Sequence, residues 1–189
     1  MKLAISGVMG CGKSAACGIF AEKGFAVFSA DKFCADLLSE NADVKNEVKS
    51  LIGNNAFDKN GVADKAYIAE KVFVDAALLK AYEAIFHKRF NAFIDSCNTG
   101  LSLFEVPLLF EKNLERNFDL CISIFCSESV RRKRLGLRGM SETEISRRDA
   151  FQLSCAKKAL LADIVLFNDG SEAFLAEQID VVIKKLRLK

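Results

Sequence analysis

The sequence predicts an α/β fold in which a parallel, five-stranded sheet carries helices on both faces. Short apolar runs of strand length alternate along the chain with longer stretches of helical periodicity. The run over 119–126 is apolar nearly throughout, which is typical of a parallel strand covered on both sides. At 189 residues, 51% of them hydrophobic, the chain is long enough for one domain with an insertion. The predicted strands are 3–5, 25–28, 101–105, 119–126 and 163–167.

A glycine-rich motif follows the first predicted strand and precedes the helical pattern of 15–23. Gly7, Gly12, Lys13 and Ser14 have the spacing of a phosphate-binding loop, in the strand–loop–helix context that this motif requires. Glycine lets the backbone curl tightly, so that its N–H groups approach an anion at the positive end of the helix dipole. The motif predicts that Lys13 reaches the β- and γ-phosphates of a nucleoside triphosphate and that Ser14 holds Mg²⁺. The predicted nucleotide-binding residues are Gly10, Cys11, Gly12, Lys13, Ser14 and Ala15.

Asp31 follows the second predicted strand, and open α/β sheets bind their ligands beyond the carboxyl ends of the strands. This position predicts that Asp31 lies near the phosphate-binding loop. Aspartate is also a favoured N-cap residue, so Asp31 could simply cap the helix predicted over 32–39. Position alone leaves both interpretations open, and a capping role does not exclude a catalytic one.

Between the second and third strands the pattern is almost wholly helical. We expect a core of 1–38 and 99–189, with a helical subdomain of about 39–98 that closes over a second substrate. His87, the single histidine, lies in the longest helical stretch of this insertion. A lone helical histidine is more often a packed or surface residue than a functional one, and the pattern alone does not overturn that interpretation.

A basic segment follows the fourth strand. Arg131, Arg134 and Arg138 recur at helical spacing and therefore lie on one face. Ser141 begins a capping box that starts a second helix. Two arginine-rich helices with glycines between them have the form of a lid, over about 131–150, because a guanidinium binds phosphate oxygens bidentately. A solvated basic face explains the same spacing equally well, and the neighbouring phosphate-binding loop favours the lid.

Charge and cysteine usage disfavour several classes of protein. A net charge of +2 is too balanced to indicate binding to nucleic acid or to a membrane. Seven scattered cysteines predict free thiols in a reducing compartment, and a single histidine with no Cys-x-x-Cys pair disfavours a zinc site. No apolar run approaches the ~20 residues that a membrane span needs. We expect a cytoplasmic protein, monomeric or weakly homo-oligomeric, with a small-molecule partner.

Cys11 lies among the loop donors at a helix N-terminus, a setting that lowers the pKa of a thiol. We therefore hypothesise that oxidation of Cys11 blocks nucleotide binding. Full activity after stoichiometric modification of this thiol would contradict the hypothesis.

Further motifs complete a pattern along the chain. In order, it consists of the glycine-rich loop, Ala30-Asp31, a histidine late in the helical insertion, Glu105-Val-Pro-Leu-Leu-Phe-Glu111, the basic lid and Asn168-Asp-Gly170. This order resembles the dephospho-coenzyme A kinase family, from about Lys2 to the last helix. The stretch 106–111 is the most discriminating piece, because the loop alone identifies only the P-loop superfamily. The resemblance implies a P-loop kinase-type fold and Mg²⁺-dependent transfer of the γ-phosphoryl group of ATP to the ribose 3′-hydroxyl of dephospho-CoA.

The resemblance also implies roles for particular residues. Asp31 matches the aspartate that accepts the proton of the acceptor hydroxyl, and His87 matches a histidine beside the acceptor substrate. Arg134 and Arg138 match lid arginines that approach ATP. In the phosphoryl transfer that the resemblance implies, Lys13 holds the donor phosphates, so Lys13, Arg134 and Arg138 join Asp31 as the predicted catalytic residues.

The sequence departs from the family pattern at Ser29, where aspartate is usual, and at Lys88, where proline is usual. Two other functions share the loop. A P-loop kinase of another small acceptor, such as a nucleoside monophosphate or shikimate, leaves the stretch 106–111 unexplained. A GTPase-type nucleotide switch is more remote, because the chain has no Asn-Lys-x-Asp motif for reading guanine.

Overall fold

The computed structural model describes residues 1–97 and 100–187 and contains a five-stranded, parallel sheet. Its strands are β1 (Lys2–Ser6), β2 (Ala26–Ser29), β3 (Ser102–Glu105), β4 (Leu120–Phe125) and β5 (Ile164–Phe167). They lie in the order β2-β3-β1-β4-β5, and every neighbouring pair is parallel. The predicted α/β fold with five parallel strands is confirmed. Since the strands are parallel, their carboxyl ends meet at one edge of the sheet.

The chain divides into two compact units, which we call the sheet unit (1–29 and 99–189) and the helical unit (30–98). The helices are α1 (Lys13–Glu22), α2 (Ala30–Glu40), α3 (Ala42–Ile52), α4 (Lys65–Val72), α5 (Ala76–Ser96), α6 (Glu128–Leu137), α7 (Glu142–Asp149), α8 (Cys155–Leu161) and α9 (Glu172–Arg187). Helices α2 to α5 belong to the helical unit, which therefore includes residues 30–38 that were expected in the core. Within the described ranges, no helix is both long and apolar enough to cross a membrane.

The core of the sheet unit is built on β1 and β4. Leu3 and Ile5 in β1 and Ile122 and Ile124 in β4 are fully buried, and Phe20 of α1 packs with them. Because helices cover a parallel sheet on both faces, consecutive residues of its central strands are apolar. This packing fixes the end of β1, from which the glycine-rich loop departs.

The helical unit is held together by α5, which packs against α2, α3 and α4. Val44, Val48 and Phe86 lie in its core. The helices begin at capped ends: the side chain of Asn41 accepts a hydrogen bond from the Val44 N–H at 3.0 Å, and aspartates cap α4 and α5 in the same way. The assignment of this unit to substrate binding stays a prediction.

Candidate active site

The glycine-rich motif forms the connection between β1 and α1, at the carboxyl edge of the sheet. Gly10 and Gly12 have φ angles of 89° and 95°, in the left-handed region that favours glycine. A Cβ atom on Gly12 would overlap the side-chain nitrogen of Asn168, and one on Gly10 would lie 2.9 Å from Leu135 Cγ. The conformation of the loop therefore requires glycine at both positions.

The first turn of α1 is open to an anion. The helix begins at Lys13, directly after Gly12, and among the described residues no side chain caps its N-terminus. The first N–H groups of an α-helix have no partner within the helix, and with the helix dipole they form an anion-binding site. Ser14 lies exposed in this turn. Lys13 folds back over the loop, where its Nζ donates to the Gly7 carbonyl at 2.8 Å, so that a positive charge lies beside the same donors.

The turn after β5 contacts both the glycine-rich loop and α6. The Asn168 side chain, which is nearly fully buried, donates through Nδ2 to the Cys11 carbonyl at 2.8 Å. Asp169 Oδ1 accepts from the N–H and the hydroxyl of Ser127, each at 2.7 Å, just before α6 begins. In the sequence, residues 168–170 are distinguished only as part of the family pattern. Because the contact between Asn168 and Cys11 joins residues 157 positions apart, no local pattern could predict it.

Arg131, the first of the three spaced arginines, is buried and already paired. Its guanidinium binds both oxygens of Glu128 at 2.8 Å and both oxygens of Asp149, with Nη1 to Oδ1 at 3.0 Å. The same Nη1 donates to the Met9 carbonyl in the glycine-rich loop at 3.3 Å. These carboxylates raise the pKa of Arg131 above its ordinary value, the hydrogen bonds to Glu128 contributing most. Arg131 therefore ties α6, α7 and the loop together.

Arg134, one turn further along α6, has a different environment. Its Nη1 is buried and has no hydrogen-bond partner among the residues that the structure describes. This nitrogen lies 3.9 Å from the position that a Cβ atom on Gly12 would take. An unsatisfied buried donor costs about 1–3 kcal/mol, which a ligand oxygen beside the loop would offset. Arg138 is exposed and is the C-cap residue of α6. The structure thus brings both Arg131 and Arg134 to the glycine-rich loop, and of these two Arg134 is the one with an unsatisfied nitrogen among the described residues.

The second helix of the basic segment starts where the capping box predicts. Ser141 is the N-cap residue of α7, and its hydroxyl accepts from the Glu144 N–H at 3.2 Å. Arg132 of α6 forms ion pairs with Glu128 and with Glu142 at the start of α7. The two helices of the predicted lid are therefore joined by charges, while the function of this segment as a lid stays a prediction.

A buried lysine, which the sequence analysis did not single out, anchors the stretch 106–111. Lys158 of α8 is fully buried, and its Nζ donates to the Pro107 carbonyl at 2.5 Å and pairs with Glu111 at 2.9 Å. Ser6, the last residue of β1, also donates to the Pro107 carbonyl, at 3.1 Å. Burial lowers the pKa of Lys158, and Glu111 opposes that effect. This cluster fixes the chain beyond β3 to the end of β1, directly before the glycine-rich loop.

Glu105 provides a carboxylate at the same edge of the sheet. It ends β3, opposite Ile5 of β1 on one side and Ser29 of β2 on the other. It is half-buried, in the central part of the strand order. This is where a parallel sheet presents groups to a ligand.

Asp31 and His87 lie in the helical unit. Asp31 is exposed and is the second residue of α2, so it does not occupy the N-cap position considered for it. His87 is half-buried on α5. The helices that carry these two residues pack on each other, with the rings of Phe33 and Phe90 5.5 Å apart.

Three cysteines from different elements meet at the loop. Cys11 Sγ lies 3.1 Å from Cys126 Sγ and 3.5 Å from Cys155 Sγ. Hydrogen bonds with these two thiols, together with burial, raise the pKa of Cys11. The expectation that the helix N-terminus lowers the pKa of Cys11 is therefore wrong. Hydrogen bonds with Cys11 lower the pKa of both neighbouring thiols, that of Cys155 to about 7. Of these two, Cys126 is buried and Cys155 is half-buried.

A glycine-rich loop between β1 and α1, an open helix N-terminus and an adjoining buried arginine define a P-loop kinase-type protein. The fold agrees with solved structures of this class. The chain matches a shikimate kinase from Acinetobacter baumannii with a TM-score of 0.57 and 15% identity, over 100% of this chain and 95% of that one. A likeness at this identity shows the fold alone.

Comparisons with more similar proteins define the family. A family model described as dephospho-CoA kinase matches residues 1–173. The dephospho-CoA kinase of Aquifex aeolicus is 31% identical over 98% of this chain and 97% of its own length, and that of Protochlamydia amoebophila is 32% identical over 99% and 97%. A solved dephospho-CoA kinase from Campylobacter jejuni matches with a TM-score of 0.69 and 26% identity, covering 98% of both chains. The chain belongs to the dephospho-CoA kinase family, and the resemblance stated from the sequence is confirmed.

Proposed function

We propose that this chain transfers the γ-phosphoryl group of ATP to the ribose 3′-hydroxyl of dephospho-CoA, giving coenzyme A and ADP, the last step of coenzyme A synthesis. Membership of the family supports this activity. The single structural observation that carries the donor half of the proposal is the open loop, whereas the acceptor rests on membership of the family. The uncapped first turn of α1 and Nη1 of Arg134, which has no hydrogen-bond partner among the described residues, both favour an anion beside glycines that leave the backbone accessible.

The donor site is formed by the loop and the start of α1. The N–H groups of 10–15 bind the β- and γ-phosphate oxygens, and Lys13 shifts from the Gly7 carbonyl to these oxygens when ATP is bound. Arg134 neutralises charge on the transferring phosphoryl group, and Arg138 approaches it when the lid of about 131–150 closes. Phosphoryl transfer depends mainly on such positioning and charge stabilisation. The loop N–H groups, Lys13 and the arginines therefore supply most of the interactions that hold ATP for the transfer.

Mg²⁺ fits the oxygen donors of this site. Magnesium prefers hard oxygen ligands and takes few of them from the protein, completing its shell with phosphate oxygens and water. Ser14, whose hydroxyl would hold the ion, is exposed in the first turn of α1, and Glu105 ends a neighbouring strand, where its carboxylate could hold a metal-bound water. When bound, the ion neutralises phosphate charge during transfer.

The acceptor half is assigned to the helical unit. Asp31 orients the incoming ribose hydroxyl and accepts its proton, for which an exposed carboxylate early in α2 is suited. His87 binds the acceptor from α5. Since the transition state is loose, we expect orientation by Asp31 to contribute more than proton removal.

The test is a coupled ADP-release assay with ATP, Mg²⁺ and either dephospho-CoA or a panel of nucleoside monophosphates. We expect ADP release with dephospho-CoA alone, and mass spectrometry should detect one added phosphate on that acceptor. Phosphorylation of a nucleoside monophosphate instead would retain the donor site but overturn the acceptor assignments. ADP release without any acceptor would show a nucleotide hydrolase.

Asp31→Asn tests the acceptor assignment directly. We expect kcat to fall by about 10²–10⁴-fold with ATP affinity unchanged, because a general base and its orienting hydrogen bond are lost. Asp36→Asn is the matched control on the same helix: its carboxylate pairs with Lys32 at the surface, and kcat should stay within about twofold of wild type. Near-normal turnover in Asp31→Asn would remove its catalytic role.

We also propose that the protein acts in the cytoplasm as a monomer or weak homo-oligomer, with small-molecule substrates and without nucleic acid. All seven cysteines are free thiols, as suits a reducing compartment. Light scattering across a concentration series tests the oligomeric state, and a stable tetramer would contradict it.

A further inference from the structure

The three cysteines at the glycine-rich loop form a cluster that phosphoryl transfer does not use. They come from separate elements: Cys11 from the loop, Cys126 from the residue after β4, and Cys155 from the start of α8. Cys11 and Cys126 have 0% and 2% exposure, whereas Cys155 is half-buried. A soluble oxidant therefore reaches the cluster through Cys155.

We propose that Cys155 and Cys11 are a peroxide modification site, and that a disulfide between them withdraws the glycine-rich loop from nucleotide binding. The inference rests on the proposed role of this loop in binding ATP. The two Sγ atoms are 3.5 Å apart in the thiol form, and a disulfide needs about 2.05 Å, so they must approach by about 1.5 Å. That displacement falls on Cys11, whose backbone belongs to the loop, or on the first residue of α8.

The chemistry balances with hydrogen peroxide as the oxidant. The Cys155 thiolate attacks one peroxide oxygen, the O–O bond breaks, and the released hydroxide takes a proton to become water, leaving Cys155 as a sulfenic acid. Cys11 Sγ then attacks Cys155 Sγ, the S–S bond forms, the S–OH bond breaks, and hydroxide leaves with the Cys11 proton as a second water. Two thiols are oxidised by two electrons, and one peroxide is reduced to two waters.

The surroundings suit this order of events. The pKa of Cys155 is lowered to about 7, first by the hydrogen bond with Cys11 and further by the positive charges of Arg131 and Lys158. The raised pKa of Cys11 makes it a poor first nucleophile, but it is already within van der Waals distance of Cys155 Sγ and needs no conformational search to resolve a sulfenic acid.

The loop cannot follow Cys11 without losing contacts. The Cys11 carbonyl accepts from Asn168 at 2.8 Å, and its N–H donates to the Val8 carbonyl at 3.3 Å. A Cβ on Gly12 would overlap the Asn168 side chain, so the backbone directly after Cys11 is already packed against Asn168. Tightening the Cys11 side chain toward α8 therefore tilts the N–H groups on either side of it, and these are the groups assigned to the phosphates. By linkage, bound nucleotide must oppose the disulfide to the same extent that the disulfide opposes nucleotide.

The experiment uses the full chain. Reduced protein is titrated with ADP by calorimetry, treated with a small excess of hydrogen peroxide, alkylated, and mapped by mass spectrometry. We expect a Cys11–Cys155 cross-linked peptide, at least about a tenfold loss of ADP affinity, recovery with dithiothreitol, and slower cross-linking in saturating ADP. Cys155→Ser should bind ADP as the wild type does and keep that affinity in peroxide. Cys97→Ser, which alters a half-buried cysteine outside the cluster, should remain as peroxide-sensitive as wild type.

Several outcomes would overturn the inference. These are a cross-linked protein that binds ADP normally, a Cys11–Cys126 cross-link that persists in Cys155→Ser, or sulfinic acid formation with no cross-link. If Cys155→Ser does not fold, the wild-type protein provides the test: the inference then requires a Cys11–Cys155 cross-linked peptide and recovery of ADP affinity with dithiothreitol. If the reduced protein does not bind ADP at all, the proposed function fails, while the peptide map still reports whether the two thiols join.

Discussion

The buried Lys158 offers the sharpest test of how this structure is held together, through the substitution Lys158→Met. Methionine has nearly the length of the lysine stem but no charge, so the space is filled while the donors are lost. The variant loses the hydrogen bond to the Pro107 carbonyl at 2.5 Å and the ion pair with Glu111 at 2.9 Å. Removing one partner of a buried ion pair costs about 3–5 kcal/mol, because the other charge is left uncompensated.

Two features place the expected cost at the lower end of that range. The Glu111 side chain keeps 12% exposure, and its Oε1 still accepts from the Leu153 N–H at 2.7 Å. The Pro107 carbonyl keeps the Ser6 hydroxyl as a donor at 3.1 Å. We therefore expect the free energy of unfolding to fall by about 3 kcal/mol. For a chain of this length, that corresponds to a loss of about 6–12 °C in Tm.

The assay is urea unfolding followed by far-UV circular dichroism, since the chain has no tryptophan, with Tm from calorimetry. Lys157→Met is the matched control, because the neighbouring lysine is exposed, and its effect should stay within about 0.5 kcal/mol. Adding Glu111→Gln to Lys158→Met should restore at least about 1 kcal/mol by removing the stranded charge. A single variant as stable as Lys157→Met, or a double variant less stable than the single, would refute the reasoning.

Three further predictions concern the site. Gly12→Ala should abolish measurable ADP binding in calorimetry, because φ is 95° and the methyl group overlaps a side chain, whereas Gly18→Ala, with nothing within 4 Å, should bind normally. Arg134→Lys should lower kcat by about tenfold and leave Tm unchanged. Arg131→Lys should instead lower Tm, because it breaks the buried bidentate hydrogen bonds with Glu128 and Asp149. Because the pKa of Cys155 is lowered to about 7, the reactive thiolate is protonated below that pH. The alkylation rate of Cys155 should therefore rise with increasing pH, with a midpoint near pH 7. A midpoint near that of an ordinary thiol would contradict the last of these.

The sequence predicted those parts of the structure that local chemistry decides. The glycine spacing predicted the loop because φ angles of 89° at Gly10 and 95° at Gly12 are strained for any residue that has a Cβ atom, whatever its tertiary contacts. The capping box at Ser141 positioned the start of α7 in the same way, through a hydrogen bond across three residues. The strands were recognisable because burial on both faces leaves no polar alternation.

The parts that sequence could not supply depend on partners far along the chain. Arg131 and Arg134 look alike in a helical pattern. Arg131 pairs with Glu128 one turn before it and with Asp149 in the following helix, whereas Nη1 of Arg134 has no hydrogen-bond partner among the described residues. The prediction for Cys11 failed for a related reason. The pKa of Cys11 is raised by hydrogen bonds with two thiols that lie 115 and 144 positions away, and no local pattern indicates them.

The stretch 106–111, which is the most discriminating part of the family resemblance, has a structural role in binding the buried Lys158. Glu111 ends the Val-Pro-Leu-Leu-Phe-Glu run that follows β3, and its carboxylate binds Lys158 and accepts from the Leu153 N–H inside the sheet unit. The Pro107 carbonyl joins the same lysine to Ser6, one residue before the glycine-rich loop begins. Substitutions at Glu111 should therefore reduce the fraction of folded protein while leaving turnover per folded molecule close to normal. Substitutions at Asp31 should lower turnover per folded molecule and leave the fraction of folded protein unchanged. Measuring the concentration of active sites together with kcat distinguishes the two kinds of residue.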